Sequence, residues 1–509
     1  TKTSLNFGFC SVSVEEVYST ILNLSNSSSL DVYGVNSRIL KAAASVICEP
    51  LTHIFNCCLD SGQFPDSFKV VKVIPVFKKG NRQEMDNYRP ISIIPVISKV
   101  FEILLNKQIY HYFESNSLFS KSQFGFRKSL STIMAVESFT KRCYDNLEMN
   151  KKVSSCFFDL SKAFDTVLHH ILLNKLKYYG FNHVSLKLIH AYLSNRYQAF
   201  SLNGKLCSFK LLKYGVPQGS VLGPVLFLIY VNDLPDYIRH ECLETYMFAD
   251  DLAVSIVSDS SDSLSEKIIN ISHKIEAWCD FNNLLINSNK TEILNFDIGR
   301  STSKIVSSVR FLGIHVESGL GWHTHIDNIA KKISRGLYML RIIKTNITTE
   351  ALHSVYYAYI HSYLNYGITL WGNHTSAISL FKLQKRALRL IYGVSSTTHC
   401  KPFFIQSGIL TLPCMFVLAC LLYVKSNVNN FTTCNTLHKY PTRHNTDLYL
   451  NKCNFTLTQK SFLNQSLKFY NFLPVDVRNL SPKVFKRKVA GILKTNPLYN
   501  IDEFYEIKF

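Results

Sequence analysis

The sequence predicts an α+β fold with an antiparallel sheet at its centre and a helical C-terminal part, on three observations. Tyr197–Leu202 and Leu206–Leu212 flank Asn203-Gly204, the strongest short-range hairpin signal. Thr245–Ala249 and Leu252–Val257 are apolar runs bracketing Asp250-Asp251, a second hairpin with acids at its tip. Beyond residue 317 apolar residues recur at helical spacing among many Tyr, Lys and Arg. With 509 residues, 47% hydrophobic and 18% charged, disordered, collagen-like and coiled-coil classes are excluded.

The elements follow in order. Ser13-Val-Glu-Glu16 is a capping box that opens a first helix. Ser37–Leu59 reads as one amphipathic helix stopped by Gly62, and Val70–Phe77 as a short strand closed by Lys78-Lys79-Gly80. Ile97–Phe113 is helical. Val153–Leu160 is β-rich and uncharged until Asp159, as a buried strand would be. Helices are expected at His169–Tyr179, Val184–Leu193 and Val221–Val231, the last apolar on every side. A long helix over Leu264–Phe281 and strands Glu292–Phe296 and Val309–Val316 precede helices near Thr324–Ile343, Thr349–Leu364 and Ala377–Ile391.

Charge is uneven. Residues 301–509 hold 25 basic and 8 acidic side chains, against 31 and 28 in residues 1–300, which points to a polyanionic partner for the C-terminal part. The fourteen cysteines form no CxxC pair and read as reduced core residues; Cys434, His438, His444 and Cys453 lack the tight ligand pair of a zinc site. Pro402–Val424 is uncharged, but Gln406, Gly408 and Pro413 interrupt it, so a buried helix is expected rather than a membrane span. No signal peptide is visible, and Thr1 in place of an initiator methionine suggests a piece of a longer product.

Asp159, Asp250 and Asp251 carry the chemistry. Each ends or begins an apolar β-segment, where an ionised carboxylate without a counter-charge costs several kcal/mol. Divalent cations would supply that charge, and two of them could activate a 3′-hydroxyl and stabilise departing pyrophosphate.

These segments resemble the motifs of reverse transcriptases. Phe158-Asp-Leu-Ser-Lys-Ala-Phe-Asp165 is similar to the family's first carboxylate motif, and Phe248-Ala-Asp-Asp251 to its Asp-Asp box. Gly215-Val-Pro-Gln-Gly-Ser-Val-Leu-Gly-Pro224 resembles the motif between them. Asn87-Tyr-Arg-Pro-Ile-Ser92 and Gln123-Phe-Gly-Phe-Arg127 resemble the fingers motifs, and Asn287-Ser-Asn-Lys290 and Phe311-Leu-Gly-Ile314 the lysine motif and primer grip. Their wording resembles that of non-LTR (LINE-type, jockey-like) retrotransposons.

The resemblance implies a right-hand polymerase: a helical N-terminal extension (1–65), fingers (66–150), an antiparallel palm (151–316), a helical thumb (317–395) and a basic C-terminal region (396–509). It implies an RNA-directed DNA polymerase in which Asp159, Asp250 and Asp251 hold two Mg²⁺, or Mn²⁺. Phe164 would exclude a 2′-hydroxyl, Gln218 and Gly219 would meet the incoming nucleotide, and Arg127, Arg89 and Lys290 its phosphates. Phe248, Phe311, Leu312 and Gly313 would hold the primer end, and Lys385, Arg386 and Arg389 the template–primer duplex. The partners implied are an RNA template, a DNA primer or nicked target DNA, and dNTPs, with no membrane, in nucleus and cytoplasm. Nothing in residues 1–60 resembles an endonuclease, so target cleavage is expected from elsewhere. The alternative is an inactive or domesticated copy that only binds nucleic acid.

Overall fold

The computed structural model describes residues 5–202, 204–296, 308–437 and 446–509. Within them the chain forms two units. The first takes in Thr1–Ser131, Phe157–Val254 and Glu266–Thr291; the second takes in Thr132–Cys156, Ser255–Ser265 and Glu292–Phe509. His438 and His444 lie outside the described residues, as does Asn203.

In the first unit the capping box forms as expected: Ser13 Oγ accepts from the Glu16 N–H at 3.2 Å, and Glu16 Oε2 from the Ser13 N–H at 3.3 Å. Ser37–Leu59 is broken at Ala43 into Ser37–Ala42 and Ala44–Ser61; Pro50 sits inside the second helix, which ends at left-handed Gly62. Strand Val70–Phe77 pairs antiparallel with Tyr88–Ile93 and parallel with Arg196–Leu202. The Asn-Gly hairpin is shorter than its apolar pattern: Lys205–Leu206 and Lys210–Leu212 both return along Arg196–Leu202. Helix Leu222–Val231 is buried almost throughout, with only Pro224 partly accessible.

A second sheet places Lys152–Ser161 beside Asp251–Ser258, and that strand beside Leu243–Phe248. Leu285–Ile286 pairs antiparallel with the end of Lys152–Ser161. Apolar residues on both faces keep these strands in the core, so the polar ends of the sheet carry the acids.

The second unit is mainly helical. Val309–Val316, expected as one strand, is a hairpin: Ser308–Phe311 pairs with Ile314–Glu317 across Leu312 and Gly313, whose φ values of 46° and 85° reverse the chain. Helix His323–Ile343 packs on Ala377–Tyr392. The expected helix Thr349–Leu364 contains a π-helical stretch, Tyr357–His361. Helix Leu412–Ser426 packs on Phe462–Phe472 and Pro482–Thr495. Among the described residues no single helix is long and apolar enough to cross a membrane. All fourteen cysteines are free thiols, eight of them buried; Cys10, Cys57 and Cys207, expected in the core, are exposed.

A buried acid in this unit gives a pH test. Glu137, on helix Thr132–Glu148, accepts from Thr369 Oγ1 at 2.6 Å, and burial raises its carboxyl to about 7. The unfolded carboxyl ionises near its ordinary 4.5, so between that pH and about 7 the folded state holds a proton that the unfolded state releases. Its contribution to stability is therefore complete below the lower value and lost as pH rises through the upper, a change of about 3 kcal/mol. Glu137→Gln keeps the acceptor for Thr369 and should raise the thermal midpoint at pH 8 but not at pH 4.5. Equal effects at both pH values would contradict the assignment.

Candidate catalytic site

The first unit brings together the three acids. Asp159 lies two residues before the end of its strand, and its backbone carbonyl accepts from the Asn287 N–H at 2.8 Å. That bond carries the short helix Ser288–Lys290 back across the strand end, and Lys290 Nζ donates to Asp159 Oδ2 at 2.6 Å. Asp250 occupies, with Ala249, the tight turn between Leu243–Phe248 and Asp251–Ser258, and Asp251 opens the second strand; Ala249 is left-handed at φ 57°. Burial raises the Asp250 carboxyl, and the Asp159 charge adds to it. Burial, then Asp250, then Asp159 raise Asp251 to about 6.

The opposing charges come from Lys78 and Arg89 at Asp250, and from Lys78 and Lys290 at Asp251. Arg89 faces Val76 in the antiparallel register of Val70–Phe77 and Tyr88–Ile93, and Lys78 directly follows that pair of strands. Both are exposed, and neither side chain has a hydrogen-bond or ion-pair partner among the described residues. Lys78 was not a candidate in the sequence, where Lys78-Lys79-Gly80 served only to end a strand. Its signal was that it lies two residues beyond the strand position opposite Arg89.

This donor set suits a hard divalent cation: all oxygen, partly desolvated and short of positive charge. Among the described residues no three Asp, Glu, His or Cys side chains yet converge around one point, and Asp159 accepts from Lys290 instead. Binding an ion would require that carboxylate to exchange Lys290 for the metal.

The nucleotide candidates cluster on the same unit. Phe164 is half-buried, stacked on Phe227 at 4.4 Å and edge-on to Phe126 at 6.3 Å, so its ring is fixed by packing. Gln218 Nε2 donates to Asp165 Oδ2 at 3.1 Å, and the Gln218 carbonyl accepts from the Ser92 N–H at 2.8 Å. Gly219 has φ 107°, and a Cβ there would lie 2.8 Å from the Ser92 carbonyl oxygen, so only glycine fits. Asp165 does not cap the helix after it, whose N-cap is Leu168; it is tied to Gln218 instead. Phe248 is half-buried at the end of its strand.

Arg127 is directed elsewhere than the phosphate role expected of it. Its Nε and Nη2 donate to both Glu114 oxygens at 2.9 and 2.8 Å, and Nη1 donates to the Ser120 and Gln123 carbonyls. That geometry spends the planar fork inside the protein, bracing the turn that carries Gln123.

In the second unit Phe311 is buried edge-on to Phe139 at 5.7 Å, so its ring is core and only the Leu312–Gly313 turn is presented. Tyr366 supports that turn: its hydroxyl donates to the Leu312 carbonyl, and its ring lies 3.4 Å from where a Gly313 Cβ would sit. Arg386 is exposed. Lys385 and Arg389, expected beside it, are half-buried and engaged: Lys385 Nζ lies 4.7 Å from the Phe381 ring and 5.1 Å from Tyr499, and Arg389 Nε donates to the Thr398 carbonyl at 2.9 Å.

Residues 76–316 match the family described as reverse transcriptase (RNA-dependent DNA polymerase). The chain is 27% identical over 425 residues to a probable RNA-directed DNA polymerase from transposon BS of Drosophila melanogaster, covering 76% of this chain and 46% of that relative. It is 26% identical over 406 residues to the RNA-directed DNA polymerase from mobile element jockey of the same species, covering 75% and 44%. It therefore spans less than half the length of these relatives. Apo telomerase from Candida tropicalis superposes with a TM-score of 0.41 at 12% identity, over 73% of this chain and 67% of that one.

Proposed function

We infer that this chain, which belongs to the reverse transcriptases through residues 76–316 and to their jockey-like non-LTR branch through its relatives, extends a DNA primer by copying RNA. The observation that carries the reading is the gathering of Asp159, Asp250 and Asp251 at one sheet end, with exposed Lys78 and Arg89 acting on the same charges. Fingers at 66–150, palm at 151–316, thumb at 317–395 and a basic region at 396–509 are the divisions that go with it.

The family depends on divalent metal, and Asp159, Asp250 and Asp251 would hold two Mg²⁺ or Mn²⁺ ions. Bound there, they would lower the pKa of the primer hydroxyl and neutralise charge on pyrophosphate. Asp159 would give up its bond to Lys290 for that role, which would leave the ammonium free for the departing phosphates. Lys78 and Arg89, without partners of their own, receive the triphosphate. Phe164, held against Phe227, walls off the 2′ position and so selects dNTPs over rNTPs. The Gln218–Gly219 backbone, fixed on Ser92, would meet the incoming nucleotide. Phe248 supports the primer end, with the Leu312–Gly313 turn as the grip. Arg386, Lys331, Lys332 and Arg335 are exposed cations for the duplex phosphates. Such an enzyme would extend the 3′ end of nicked target DNA in the nucleus.

The test is incorporation of dTTP on poly(rA)/oligo(dT) with Mg²⁺. Extension is expected, with rGTP and rUTP rejected on matching templates. Template–primer affinity should fall steeply with salt, because the binding surface is cationic. A protein that binds this template–primer but incorporates nothing with either metal would leave only the binding role.

A further inference from the structure

The turn that carries Asp250 and Asp251 depends on a side chain 126 positions earlier in the chain. Gln123 is buried, and its Oε1 accepts two backbone donors: the Gly125 N–H at 2.8 Å and the Ala249 N–H at 3.1 Å. Around it the segment 122–124 lies along Leu243–Phe248 as a short parallel bridge. The Phe124 N–H donates to the Met247 carbonyl, and the Met247 N–H to the Ser122 carbonyl, each at 2.8 Å.

Three features make this more than packing. Ala249 is left-handed at φ 57°, a conformation that alanine adopts only against its own preference, so something outside the turn must hold it. The amide cannot be turned end for end, because its NH₂ would then face two N–H donors. In the observed orientation Nε2 is buried without a partner among the described residues, so the oxygen's two bonds outweigh a real cost. Finally, a Cβ at Gly125 would lie 2.4 Å from the Ala249 nitrogen, so the two backbones meet only because that residue is glycine.

We propose that Gln123 is a positioning residue for the polymerase site: its side-chain oxygen clamps the Ala249 peptide and so sets where the Asp250 and Asp251 carboxylates lie. The proposal rests on the polymerase reading and assigns Gln123 no contact with nucleotide or metal. Arg127 belongs to the same device, since its guanidinium fixes the Ser120 and Gln123 carbonyls from the other side. The fingers motif Gln123-Phe-Gly-Phe-Arg127 thereby acts on the carboxylate turn through the backbone.

Gln123→Met preserves length and bulk but accepts no hydrogen bond; Gln123→Asn keeps the amide but falls one methylene short. Two measurements on the full chain decide. In metal-free protein, hydrogen exchange should accelerate in peptides spanning 245–252 and 123–127 and nowhere else. In the poly(rA)/oligo(dT) assay kcat should fall by about 10- to 100-fold, as displacements near 1 Å do, with KM for dTTP and template–primer affinity unchanged. Wild-type kcat and wild-type exchange in both variants would overturn the proposal. So would faster exchange spread over the whole chain, which would make Gln123 an ordinary core residue. If the wild type itself incorporates nothing, the polymerase reading fails, and the exchange pattern alone still decides whether Gln123 holds the turn.

Discussion

Asp250→Asn is expected to abolish dTTP incorporation, by at least about a thousandfold, while making the metal-free protein more stable. The first effect follows from ligand chemistry: the amide keeps the shape of the carboxylate but not its charge, and several kcal/mol of transition-state stabilisation go with the metal it would hold, at about 1.4 kcal/mol for each tenfold. The second follows from the surroundings of the native acid. Burial and the neighbouring Asp159 raise the Asp250 carboxyl above its ordinary value, and Lys78 and Arg89 only partly offset them. At pH 7 the folded chain therefore carries a repulsion that asparagine removes. Thermal midpoints in EDTA should rise for the variant at pH 7, and the gain should shrink as the pH is lowered and the native carboxyl takes up a proton. Adding Mg²⁺ should stabilise the wild type and not the variant. A variant that extends the primer at the wild-type rate would remove Asp250 from the ligand set; one that melts earlier in EDTA would deny the repulsion. The two readouts are independent, so loss of activity cannot be mistaken for loss of fold.

The acids, the hairpin between Asp250's strands and the lone-glycine turn at Gly219 were legible because local chemistry dictates them. Apolar runs that end in carboxylates, and a Pro-Gln-Gly turn, need no knowledge of the rest of the chain. What sequence patterning missed depends on partners far along the chain. Arg127 reads as a free phosphate ligand until Glu114 is seen to take two of its donors. Phe311 reads as a primer contact until Phe139 covers it. Lys385 and Arg389 share a helical face with Arg386, but Tyr499 and the Thr398 carbonyl reach the first two and not the third. The hairpin at 308–317 was hidden for a different reason: Leu312 adopts φ 46° with Gly313, and a leucine gives no warning of a left-handed turn. Gln123 belongs to a fingers motif, yet nothing local says that its oxygen meets residue 249.

Glu102→Ala is expected to cost about 3–5 kcal/mol, the largest stability effect of any single substitution considered. Glu102 is fully buried on helix Val96–Ser115. Its Oε2 accepts from the Val221 and Leu222 N–H groups at 2.8 and 3.2 Å, donors that head helix Leu222–Val231 and have no partner within it. Burial raises this carboxyl, and the charge of Arg196 is the main influence against it. Arg196 is itself buried: its Nη1 donates to the Tyr192 carbonyl at 3.0 Å, and its guanidinium stacks over the Tyr192 ring at 4.7 Å. Its Nε and Nη2 have no hydrogen-bond partner among the described residues, and Glu102 acts on it through charge without an ion-pair contact. Alanine would strand an arginine and two helix-head donors together, whereas Glu102→Gln keeps an acceptor and should cost less. Glu102→Leu combined with Arg196→Met should recover much of the loss, because replacing both members of a buried pair by apolar groups is far milder than removing one. The order Ala below Gln, with the double variant above Ala, is to be read from urea midpoints. Because the two donors directly follow the Pro217–Ser220 turn, Glu102→Gln should also raise KM for dTTP more than it lowers kcat. Equal midpoints for Ala and wild type would show that water reaches Arg196, and the pair would then have no structural role.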